Sequence, residues 1–151
     1  MPPSEPSGSG PPSPAGFEWR DHTADIALHV WAPSLAELFR VAAEGLYATI
    51  GQLKCGPATR ATTVELSAGD VPDLLQSWLA ELLFRFETGD EVLVDVAIDE
   101  LTETKLHATA KSAPLDRDAS TLDREVKAVT YHGLDVTRTP DGVVTTVILD
   151  I

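Results

Sequence analysis

The sequence predicts an α+β domain, with two amphipathic helices packed on a mixed or antiparallel β-sheet. Three observations lead there. Two segments carry apolar residues at helical spacing between recognisable caps, several short β-forming runs surround them, and 43% of the 151 residues are hydrophobic, enough for one core. Ile26, Leu28 and Val30 alternate with Ala27, His29 and Trp31, the period of a strand with one face on the core, and Pro33 ends it. Ser34 with Glu37 makes a capping box, so a helix begins there. Leu35, Leu38, Phe39, Ala42, Leu46 and Ile50 share one helical face, and Gly51 is available as a left-handed closing residue. A strand follows over Thr62 to Leu66. The second helix opens at Asp70-Val71-Pro72-Asp73, where proline costs least and carboxylates meet the positive end of the helix dipole. Leu74, Leu75, Trp78, Leu79, Leu82, Leu83 and Phe86 give it a broad apolar face, with Trp78 as core, and Thr88-Gly89-Asp90 closes it. Further strands are expected near Glu91 to Ile98, Lys105 to Ala110, Glu125 to Val136 and Val143 to Ile151. No internal repeat suggests a solenoid.

Residues 1–16 are rich in Pro, Ser and Gly and have nothing to pack, so they read as a disordered tail ahead of one domain over 17–151. The tail has neither the basic residues nor the apolar run of a signal peptide, and no segment approaches the length of a membrane span. Secretion and membrane insertion are not expected. The formal net charge is −13, from 24 acidic and 11 basic residues. Removing Glu5, the one charge of the tail, leaves 23 acidic against 11 basic groups, so the domain itself is acidic. Strong direct binding to nucleic acid is not expected of it, whereas cations and basic protein surfaces are suitable partners. The lone cysteine, Cys55, can form neither an internal disulfide nor a CxxC motif, which fits a reducing, cytoplasmic setting. It reads as a small, partly buried hydrophobe before a Gly-Pro turn.

Three stretches could carry chemistry. Asp21-His22-Thr23-Ala24-Asp25 offers carboxylate oxygens suited to Ca²⁺, Mg²⁺ or Mn²⁺ and an imidazole suited to Zn²⁺, although a strand-entry loop uses the same residues for turn hydrogen bonds. The run from Val143 continues to Asp150-Ile151. Held within a sheet, it would fix the Ile151 α-carboxylate beside the Asp150 side chain; as an edge strand it would leave a solvated end. In Glu125 to His132, regular alternation would put Lys127, Val129 and Tyr131 on one face and Val126, Ala128, Thr130 and His132 on the other. No nucleophile elbow, P-loop, GxGxxG turn or zinc pattern is present, so no self-sufficient enzyme announces itself.

His22-Thr23-Ala24-Asp25-Ile26, Trp78-Leu79-Ala80-Glu81-Leu82-Leu83, Glu125 to His132 and the closing Asp150-Ile151, in this order, resemble the archease family from about Phe17 onward. The resemblance implies a non-catalytic activator of the RNA ligase RtcB. That enzyme joins 3′-phosphate or 2′,3′-cyclic-phosphate ends to 5′-hydroxyl ends in tRNA splicing and RNA repair. The activator promotes guanylylation of the ligase and its multiple turnover. It also implies a divalent metal, Ca²⁺ above all with Mg²⁺ or Mn²⁺ as alternatives, held by Asp25, Asp150 and the terminal carboxylate of Ile151, with His22 and Lys127 in support. Two other classes stand beside it: a chaperone or adaptor with broader protein partners, and a metal-dependent hydrolase, which would need a substrate pocket and turnover of its own.

Overall fold

Alternating side chains make the first hairpin of the molecule, β1 (Gly16–His22) with β2 (Asp25–Ala32), paired antiparallel in unbroken register. The computed structural model describes residues 13–22, 25–131 and 133–151, without the side chains of Asp21 and His22. Most of the expected tail, together with Thr23, Ala24 and His132, therefore lies outside the described residues. Ile26, Leu28, Val30 and Ala32 point inward and are buried. After Pro33, α1 (Leu35–Ile50) starts on Ser34, whose hydroxyl accepts the Glu37 N–H at 3.2 Å. The Glu37 carboxylate turns to Arg40 Nε at 2.7 Å, so the expected box is used from one side. Gly51 differs from expectation: it is extended, at φ 160° and ψ −163°, and begins β3 (Gly51–Gln52). Its missing side chain serves a close approach, since a Cβ there would run into the carbonyl oxygen of Thr121.

β4 (Arg60–Ser67) leads to α2 (Val71–Gly89), capped by Asp70, whose carboxylate accepts the Asp73 N–H at 2.9 Å. Asp90 takes the left-handed closing position at φ 50°. β5 (Glu91–Leu101) and β6 (Lys105–Pro114) form a long hairpin, and β7 (Thr121–Leu122) pairs with β3. The single strand expected over Glu125 to Val136 is replaced by two: β8 (Ala128–Val129) and β9 (Val136–Thr139). Val126 and Val129 are both buried, a spacing of three that a regular strand cannot produce. Gly133, at φ 67°, and the Leu134 N–H bond to Tyr131 O then turn the chain. Lys127 and Val129 consequently do not share a face: Lys127 is exposed and Val129 buried. β10 (Gly142–Asp150) closes the fold with perfect alternation, Val143, Thr145, Val147 and Leu149 inward.

All the pairings are antiparallel. One sheet runs β1-β2-β10-β8, with β9 also on β10; a second runs β4-β6-β5; β3 and β7 make a small third. α1 packs on β2 and β5, α2 on β5, β8 and β4, and the helices touch each other, so both sheets draw on one helical layer. Trp78, with no exposed surface, donates its Nε1–H to Phe39 O at 2.9 Å and so ties the helices together. Among the described residues no helix is long and apolar enough to cross a membrane. Cys55 is half-buried beside Leu115, as expected of a small hydrophobe.

The Tyr47 hydroxyl accepts the Leu93 N–H at 3.1 Å and is pushed up to about 12 by burial. A tyrosine that stays protonated longer in the folded than in the unfolded chain contributes stability below pH ~10 and loses it as pH rises toward ~12. Denaturant midpoints taken across this window are expected to fall by an amount worth about 2–3 kcal/mol, and Tyr47→Phe is expected to remove that part of the slope.

Candidate metal centre

The register of the first sheet gathers the separated motifs into one row. Across its end, His22 of β1 lies opposite Asp25 of β2, Asp25 opposite Asp150 of β10, and Asp150 opposite Ala128 of β8. Of the cluster at 21–25, His22 ends β1 and Asp25 begins β2, and the two lie opposite each other. β10 is a central strand of the sheet, not an edge, which places Asp150 beside a carboxylate from the other end of the chain.

Directly opposed residues in an antiparallel pair project from the same face with Cβ atoms about 5 Å apart. Asp25 and Asp150 are such a pair, on the face turned away from the helices: their neighbours Ile26 and Leu149 are the buried ones. Asp25 Oδ1 is shielded from solvent, whereas Asp150 is exposed, so the row has an inner and an outer carboxylate. No ion pair involves the Asp150 side chain among the described residues. Two like charges held opposite each other in a sheet destabilise it unless a proton or cation lies between them. The donor chemistry fits a hard divalent cation, which takes carboxylate oxygens at about 2.3–2.6 Å in flexible geometry.

The remaining candidates are near at hand. The Lys127 main-chain N–H donates to Asp150 O at 2.7 Å, fixing that residue next to the row, and its side chain is exposed. Ile151 follows Asp150 and is partly buried against the core. Among the described residues, no three His, Cys, Asp or Glu side chains are gathered closely enough to hold a metal ion. The row as described therefore brings together two carboxylates, those of Asp25 and Asp150. Sequence reasoning did not foresee Gln76, whose amide donates to Val129 O at 3.0 Å and ties the short strand β8 to α2. A lone glutamine on a helix carries no signal of that role.

A family model, the Archease protein family (MTH1598/TM1083), matches residues 17–151. The archease of Methanopyrus kandleri is 35% identical over 125 residues, covering 81% of this chain and 89% of that protein. The archease of Methanosarcina barkeri is 32% identical over 139 residues, 89% of this chain and 95% of its own. The solution structure of Methanobacterium thermoautotrophicum protein 1598 superposes with a TM-score of 0.70 at 31% identity, over 90% of this chain and 99% of that one. A Thermotoga maritima archease structure, described as a possible chaperone, has the same fold with a TM-score of 0.63 at 21% identity, over 87% of this chain and 94% of that one.

Proposed function

The chain belongs to the archease family, and on that premise we propose that it is a metal-binding activator of the RNA ligase RtcB, acting without catalysis of its own. The observation that carries the reading is the direct cross-strand pairing of Asp25 with Asp150. That pairing supplies two oxygen donors on one face, and the Ile151 carboxylate is the third member of the proposed ligand set. The ion is a hard divalent cation, Ca²⁺ first, since every donor in the set is an oxygen. It would supply positive charge for a phosphate or nucleotide in the ligase. The chain's own part is to present that acidic end rigidly: β10 is clamped between β2 on one side and β8 and β9 on the other, so the carboxylates are positioned before they meet the ligase. His22 and Lys127 flank the row in support. The overall negative charge suits a ligase surface made basic for RNA.

The test is guanylylation and multiple-turnover ligation by the RtcB ligase of the same organism, with a substoichiometric amount of this protein. Stimulation that a chelator or Asp25→Ala removes supports the proposal. An active ligase that gains nothing from the wild-type protein would transfer the balance to the chaperone or adaptor reading.

A further inference from the structure

Among the described residues, no strand pairs with the outer side of β1, which pairs with β2 alone, over seven residues and without a break in register. Exposed sheet edges invite pairing with another chain, and proteins usually blunt them. Elsewhere this molecule does so: β8 is two residues long, and β5 is bent by Asp95 at φ 52° and by two shifts of register. β4 is a straight edge, but it carries none of the exposed large apolar side chains, whereas β1 exposes Trp19, 45% accessible. The indole is held ready. Its Nε1–H donates to Thr49 Oγ1 at 2.8 Å, and the Arg124 guanidinium stands 5.9 Å from the ring centre.

We propose that a second copy of this chain docks on this edge, β1 against β1 antiparallel, about a two-fold axis at Trp19. Charge selects the register. A two-fold axis normal to the sheet keeps residues of the same face opposite each other, so it must pass through a residue. At Glu18 it would oppose two carboxylates, and at Arg20 two guanidiniums, each time with only five residues paired. At Trp19 it pairs all seven residues of β1, sets Trp19 against the partner's Trp19, and places Glu18 and Arg20 against the partner's Arg20 and Glu18. Within one chain these two charges are 4.0 Å apart and more than half exposed, free to exchange partners. Aromatic pairs and opposite charges are the favourable cross-strand combinations. The acidic rows then lie about 20 Å apart along the strand direction, three residues either side of the axis at ~3.3 Å each, and both stay open.

Sedimentation equilibrium of the full chain in chelator separates this proposal from the metal site. The expected result is a reversible dimer that Arg20→Glu weakens about tenfold or more, by turning both symmetric pairs repulsive, and that Glu18→Arg with Arg20→Glu restores. A chain that stays monomeric up to about a millimolar overturns it. So does a dimer that ignores the single reversal or is not restored by the double one.

Discussion

Asp150→Asn is expected to abolish both divalent-cation binding and ligase stimulation while leaving the protein as stable as before, or slightly more so. The two effects separate because they arise from the same pair read in two ways. Asp25 and Asp150 oppose each other directly across β2 and β10, so in metal-free buffer their charges repel, at a cost of about 0.2–1 kcal/mol for such a cross-strand pair. Asparagine keeps the size and removes one charge. In chelator the variant should therefore melt at or up to about 2–4 °C above the wild type, the shift that ~1 kcal/mol produces in a domain of this length. Added Ca²⁺ reverses the order. It should raise the midpoint of the wild type by mass action and leave the variant unmoved. Melting curves with and without the ion, beside the ligation assay, decide the matter. A variant that loses stimulation because it has unfolded would show a lowered midpoint in chelator, and the carboxylate pair would then be structural.

The largest loss of stability is expected at Trp78→Ala. Trp78 is completely buried where α2 meets α1, and its indole N–H satisfies the Phe39 carbonyl inside α1. Truncating a buried tryptophan costs about 3–5 kcal/mol through lost contacts and the cavity left behind. The Phe39 carbonyl also loses its second donor, keeping the helical bond from Ala43. Against a total of roughly 5–15 kcal/mol for a typical domain, the variant should be half unfolded in markedly less denaturant, and partly unfolded at growth temperature if the total is small. Trp78→Phe fills most of the volume and loses the hydrogen bond, so its cost should be near 1–2 kcal/mol. Urea midpoints of the two variants separate packing from bonding.

The helices were legible because their signals are local. Ser34 and Asp70 cap where they stand, and each apolar face repeats within a few residues. β1 is missing from the sequence expectation, because Asp21 and His22 at its end read as part of a strand-entry loop. The segment after Glu125 reads as one strand in sequence because its β-forming residues mask a bend that only the joint burial of Val126 and Val129 and the turn at Gly133 reveal. At the candidate centre, each aspartate alone had an ordinary explanation, a turn residue or a strand end. Their juxtaposition is a property of the β2–β10 register, which joins residues far apart in the chain and leaves no local trace.

That register also sets when the carboxylate pair comes into being during folding. β2 is among the first elements made and β10 is the last of the strands, yet they are neighbours in the centre of one sheet. Closing so long a loop is entropically costly and slow compared with forming the helices or the β5–β6 hairpin, whose contacts are local. Until β10 inserts, Leu28 and Val30 lack the strand that completes their layer, and Asp25 has no Asp150 opposite it. The paired oxygens are thus a late product of folding. A nascent or half-folded copy offers only single aspartates, too weak to retain a cation, so on the proposed reading only fully folded molecules compete for the ligase.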